Sequence, residues 1–157
     1  MSSLASMAAE LAVILPHYNC NENAWIDANT QYALSRWRRA APHVYVILVE
    51  IAVSPAPFRF EQGVHADRVL QFHVEDVMWY KEMAINAALP HVPPSCEVVC
   101  WADSDVVVDG GDATVAAWVR RVVQAATAPG AAFVQPFAAV RMPVSYTHLT
   151  LPTKRIV

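Results

Sequence analysis

Two aspartates one residue apart, Asp103 and Asp105, close a run that otherwise looks built for burial: "EVVCWADSDVVVDGG", Glu97 to Gly111. On an extended backbone, side chains two apart point to the same side. Two close carboxylates in a partly desolvated cleft repel each other, and a divalent cation removes that conflict. Hard oxygen ligands suit Mg²⁺ or Mn²⁺, which keep water and phosphate oxygens as further ligands. The pattern therefore predicts a metal bridging Asp103 and Asp105 to a diphosphate. A pair of solvated turn aspartates has the same spelling.

Other candidates surround this pair. "PHYN" (Pro16 to Asn19) follows the apolar run "LAVILP", and Glu50 lies within the strongest β run, "HVYVILVEIAV". His17 and Tyr18 could frame a base, the Tyr18 ring by stacking, though His17 reads equally as an ordinary loop residue. Glu50, ending the second strand, could accept hydrogen bonds from a base or ribose or be a solvated strand terminus. In "VMWYKEMAINAAL", Glu82 and Asn86 are four apart and share a helix face, with Lys81 on another. They read either as a polar wall beside a diphosphate or sugar, or as a network holding helix to sheet. His65, His73 and His91 show no ligand spacing, and "RWRR" reads as a solvated helix end. No Gly-rich phosphate loop, no G-x-S-x-G elbow and no nucleophile with an evident base is visible.

These residues need a scaffold. Strand-like runs at Leu11–Pro16, His43–Val53, Asp67–Val74 and Glu97–Ala102 alternate with helical stretches. The helices are expected at Ala24–Arg39 (capped by Asn23), Val77–Leu89 (capped by Asp76) and Ala113–Thr127 (capped by Asp112). "AAFVQPF" would begin a fifth strand. Such alternation predicts an α/β fold: a mainly parallel, Rossmann-like sheet with helices on both faces. Ligands of such sheets sit outside the carboxyl ends of the strands, where Pro16–Cys20, Glu50 and Asp103–Asp105 all fall. The five tryptophans are expected to be core or half-buried.

Bulk properties bound the rest. The chain has 157 residues, 55% hydrophobic and 16% charged, enough for one cored domain. Its net charge of −3 gives no footing for nucleic acid or an anionic membrane. No run approaches the roughly 20 apolar residues of a membrane span, which favours a soluble form. Cys96 and Cys100 would stand about 13 Å apart on one strand, at roughly 3.3 Å per residue, and with Cys20 read as buried structural thiols. "VSYTHLTLPT" (Val144 to Thr153) resembles a translated transposon-end sequencing adapter. The expected organisation is thus an extension over 1–10, an incomplete domain over 11–143, and a non-native tail over 144–157.

Taken together, "VILPHYN", "WYKEMAINAAL", "VCWADSDVVVD" and "FVQPF" resemble the nucleotide-sugar half of a GT-A glycosyltransferase, of the family-2-like or galactosyltransferase-like kind. The resemblance runs from about Leu11 to Met142. It implies a UDP- or GDP-linked sugar donor, Mn²⁺ or Mg²⁺, and an unknown acceptor. It also implies that Asp105 ligates the metal and that Asp103 meets the metal shell or the ribose. Pro16, Tyr18, Asn19 and Glu50 would border base and ribose, and Lys81, Glu82 and Asn86 would shape the donor cleft. Glu50 is followed by "IAVSPAPF" rather than the Asp-Gly-Ser turn of typical family-2 members, which leaves the base contacts open. Acceptor site and catalytic base would lie beyond Met142, so this chain alone is expected to be inactive. A non-catalytic α/β binding module is the alternative. A sugar nucleotidyltransferase is a weaker one, since "PHYNCNENA" lacks the glycine-rich loop.

Overall fold

A computed structural model describes residues 10–139 of the chain. Four strands, β1 (Leu11–Tyr18), β2 (Tyr45–Val53), β3 (Arg68–Val74) and β4 (Val98–Trp101), form one parallel sheet in the order β3-β2-β1-β4. Three helices connect or follow them: α1 (Ala24–Ala40), α2 (Lys81–Ala88) and α3 (Asp112–Ala126). The two inner strands are near-continuous apolar runs, as strands covered on both faces must be.

Side-chain alternation divides the core. Leu11, Val13, Leu15, Val46 and Leu48 face one way and pack against Leu34 and Trp37 of α1 and Val115 and Val119 of α3. Ile14, Ile47, Val49 and Ile51 face the other way, against Ala84 and Ala88 of α2. Helices therefore cover both faces of the sheet, as the sequence pattern predicts.

The chain order makes β1 a switch point. From β1 the chain moves outward to β2 and β3, then returns to the other side of β1 as β4. Pairing of β1 with β4 ends at Ile14↔Trp101, whereas pairing with β2 continues to Tyr18↔Ile51. The Ile14 carbonyl accepts from Ala102 N at 3.2 Å, so even-numbered residues of β1 turn their backbone groups toward β4. Pro16 is the next of these. It has no N–H to offer, and it stands where β4 has already diverged.

Helix α1 begins as expected: the Asn23 side chain accepts from Trp25 N at 3.0 Å. Its last turn is not merely solvated. Arg36 and Arg39 both grip Asp112 at the start of α3, each at 2.9 Å. Arg36 also donates to the carbonyl of Gly110, whose φ of +102° suits glycine.

Several expectations are corrected. Asp112 is the first residue of α3 rather than its cap; Gly111 holds the cap position. Asp76 caps nothing, and α2 starts at Lys81 rather than Val77. Val77 and Trp79 are weak helix formers, and both lie exposed with Met78. The Tyr80 ring meets Tyr18 edge-on, which pins the chain just before the helix. The residues of "AAFVQPF" form no strand among the described residues; the Trp118 indole instead donates to the Pro136 carbonyl at 2.9 Å. Only Trp37 is fully buried and Trp118 half-buried, whereas Trp25, Trp79 and Trp101 are exposed. The three cysteines are free and half-buried rather than fully buried. Residues 144–157 and the 1–9 segment lie outside the described residues. No described helix is long and apolar enough to cross a membrane.

Two predictions follow from this packing. Leu34→Ala removes a fully buried side chain and should cost about 3 kcal/mol in denaturant melts. The hydrogen bond from Arg39, aided by the charges of Arg39 and Arg36, holds the Asp112 carboxyl below its ordinary value of 3.8 against some desolvation. The clamp therefore contributes fully above that ordinary value and is lost as pH falls through the lower folded one. Asp112→Asn should flatten this part of the acid limb in a stability-versus-pH profile.

Candidate polar site at the carboxyl rim

The face that carries Leu11, Val13 and Leu15 turns polar at its carboxyl end. Strand register sets His17 directly beside Glu50 on that face. Both are almost fully buried, at 2% and 3% exposure, so each needs its polar atoms satisfied.

Glu50 is satisfied by the loop that follows β2. Its Oε1 accepts from Arg59 N at 2.6 Å, and its Oε2 accepts from Phe60 N at 3.3 Å and from Gln71 Nε2 at 2.9 Å. Gln71, on β3, donates also to the Phe60 carbonyl. Glu50 thus anchors the loop, and most of its accepting capacity is used by the protein itself. Phe60 is buried and meets the His17 ring edge-on at 4.8 Å.

His17 is satisfied from α1. Its Nε2 lies 3.1 Å from Asp27 Oδ1, and its Nδ1 lies 3.0 Å from Thr30 Oγ1 and 3.3 Å from Ser104 Oγ. The Asp27 carboxylate also accepts from Asn19 Nδ2 at 2.8 Å and pairs with Arg59 Nε at 3.1 Å. Asn19 further clips Asn23 in both directions, each bond 2.9 Å, and closes the loop between β1 and α1. Arg59 reaches on to Glu22, a residue held at φ +49°. His17, Asn19, Glu22, Asp27, Glu50 and Arg59 line one narrow cleft. A second, wider and open depression, bordered by Cys20 and Pro55, adjoins it through Asn19, Glu22, Ala56 and Pro57.

On the other side of β1, β4 ends and the chain turns, with Val106 N donating to the Asp103 carbonyl at 3.1 Å. The turn means that the extended spacing expected for Asp103 and Asp105 does not apply. Both are exposed, neither lines the cleft beside Glu50, and Ser104 between them is buried. Lys81, the first residue of α2, forms an ion pair with Asp103 Oδ1. The like-charge conflict is therefore relieved in part by a lysine of the chain itself. Asp105 remains close enough to act electrostatically on His17. Among the described residues no three His, Cys, Asp or Glu side chains converge as a metal ligand set.

The remaining candidates are spread out. Tyr18 faces α2, where its Oη lies beside Cys20 and the backbone of Met78 without a hydrogen bond of normal geometry. Desolvation pushes that phenol above its ordinary value, and the Cys20 neighbour adds to the effect. Glu82 and Asn86 are exposed on α2 and do not form a network that holds this helix to the sheet. His65 and His73 serve the β2–β3 loop, through Glu61 N and the Ala56 carbonyl.

Asp27, Thr30, Arg59 and Ser104 were not singled out by sequence. Ser104, His17 and Asp27 even have the connectivity of an acyl-transfer triad. Ser104 does not border the cleft, however, and Thr30 competes for the same ring nitrogen, so the arrangement holds structure rather than a nucleophile.

No protein-family model matches this chain, no curated protein matches it significantly, and no solved structure does so.

Glu50→Ala would leave two backbone N–H groups and the Gln71 amide without their acceptor. A loss of about 3 kcal/mol is expected in chemical denaturation. Burial holds the His17 imidazole below its ordinary value of 6.5, against the opposing pull of Asp27, Glu50 and Asp105. The unfolded ring is then protonated first, so stability should decline as pH falls below 6.5 toward the lower folded value. Melts of the wild type and of His17→Asn between neutral and mildly acid pH would show this slope shrinking in the variant.

Proposed function

We propose that this chain is the nucleotide-sugar-binding part of a metal-dependent glycosyltransferase. The observation that carries this reading is the switch point beside β1. Parallel α/β sheets bind ligands in the crevice outside the strand ends where the chain order reverses. Here the chain order reverses beside β1, which sets the end of that strand next to the turn carrying Asp103 and Asp105.

The residues fit a hard divalent cation held mainly by its ligand. Lys81 engages one oxygen of Asp103, leaving the other for a cation, and Asp105 is exposed on the same turn. Two carboxylates completed by water and diphosphate oxygens suit Mn²⁺ or Mg²⁺. Such an ion, when bound, would neutralise charge on a leaving diphosphate. Lys81 would add a second positive charge beside the phosphates. Pro16, Tyr18 and Asn19 would border the base and ribose from the β1 side, and Glu50 would contribute by holding the loop that carries Arg59. Glu82 and Asn86, exposed on α2, would be available to the sugar. The acceptor is left undefined by this half of the site.

The Lys81–Asp103 pair favours a second reading. A carboxylate already matched within the chain suits a non-catalytic α/β module that binds without metal. Calorimetry with UDP and GDP separates the two. With Mn²⁺ present, one nucleotide should bind at least about tenfold more tightly than without it, and Asp105→Ala should abolish that difference. Equal affinities with and without metal would leave the non-catalytic reading.

A further inference from the structure

Ser104 is the exception in its turn, a buried hydroxyl between two exposed aspartates. Val98, Cys100 and Ala102 pack on the α1 and α3 face, and the turn that follows β4 returns Ser104 to the interior on that side. There it meets Thr30 Oγ1 at 3.0 Å and His17 Nδ1 at 3.3 Å.

The proton positions in this cluster follow from donor and acceptor inventory. An ionised carboxylate only accepts. The Asp27 carboxylate, paired with Arg59, therefore takes the proton of His17 Nε2. The other ring nitrogen, Nδ1, is then a lone-pair acceptor facing two hydroxyls. One hydroxyl donates to it, and the second donates to the first. The shorter contact, 3.0 Å, assigns Thr30 as the donor to Nδ1 and leaves Ser104 donating to Thr30. Every proton in the chain from Ser104 to Asp27 then has one acceptor.

We propose that Ser104 is a positioning residue, and that the relay Asp27–His17–Thr30–Ser104 locks the Asp103–Val106 turn onto β1 and α1 so that Asp103 and Asp105 are presented outward in one arrangement. The relay joins β1 and α1 to the distant turn after β4, and its anchor is the Asp27 carboxylate inside the cleft. What the two aspartates then hold rests on the function proposed above; the locking of the turn does not.

Nuclear magnetic resonance on the intact chain tests this. Long-range ¹⁵N correlation should find the His17 ring protonated at Nε2 and bare at Nδ1. Ser104→Ala and Thr30→Val should each speed amide exchange at Val106 by about tenfold or more relative to the core amides of Ile47 and Leu48. Thr30→Ser, which keeps the hydroxyl, should restore the wild-type rate. A purely global loss of stability would instead accelerate Val106 and the core amides together, and that result overturns the proposal. So does a ring protonated at Nδ1, or unchanged Val106 exchange in Ser104→Ala. Should Thr30→Val fail to fold, the wild-type tautomer and the Ser104→Ala rate still decide. Mn²⁺ together with UDP or with GDP, added to the wild type, separates the two levels: absence of paramagnetic broadening at Asp103 and Asp105 with both nucleotides, and Val106 exchange behaving as stated, removes the metal reading and keeps the positioning role.

Discussion

A buried charge must find its partners within the protein, and at the carboxyl rim of this sheet that requirement organises everything else. Asp27 and Glu50 are buried carboxylates on adjoining elements. Between them they bind groups from the loop after β1, the loop after β2, β1 itself and β3. Removing a single partner of such a cluster costs more than the bond alone, because the remaining group stays desolvated. The two loops that border the cleft are therefore tied to the sheet through acidic side chains.

Much of the architecture was legible from pattern. The runs from Leu11 and from Tyr45 are apolar on both alternating sets, which is the mark of inner parallel strands, and α1 carries its cap in Asn23. What failed was decided by tertiary contact. Val77 to Tyr80 have enough hydrophobicity for a helix turn, but Tyr80 packs on Tyr18 and the helix begins only after it. "AAFVQPF" has strand-like composition, yet the indole of Trp118 captures the carbonyl of Pro136 beside α3. Exposed Trp25, Trp79 and Trp101 show that residue type sets a tendency toward burial and not a location.

The candidate site was legible only in outline. Asn19 and Asp103 to Asp105 do fall past strand ends, whereas Pro16 to Tyr18 and Glu50 lie inside β1 and β2 toward their carboxyl ends, because strand existence could be read from sequence and strand limits could not. Their partners could not, since Asp27, Thr30, Arg59 and Ser104 lie up to 87 residues from His17. One signal was available. Asp27 and Thr30 are three apart, and they continue a helix stripe through Ala33, Leu34 and Trp37, all of which are buried. Two polar residues on the apolar stripe of an amphipathic helix announce a buried polar partner, and His17 at the end of an apolar strand was the available one. Lys81 was placed on the right helix, but its pairing with Asp103 depends on where α2 starts, which the sequence pattern misjudged by a full turn.

Pro16 makes one further point about the sheet. A residue with an amide proton at that position would direct it across the gap toward the chain leaving Trp101, inviting the ladder to continue past Ile14. Extra rungs would zip the two strands together and draw the Asp103 turn into regular pairing. The imino acid acts as a spacer: by withholding one hydrogen it keeps the seam between neighbouring strands unlaced at its upper end, where the polar side chains gather.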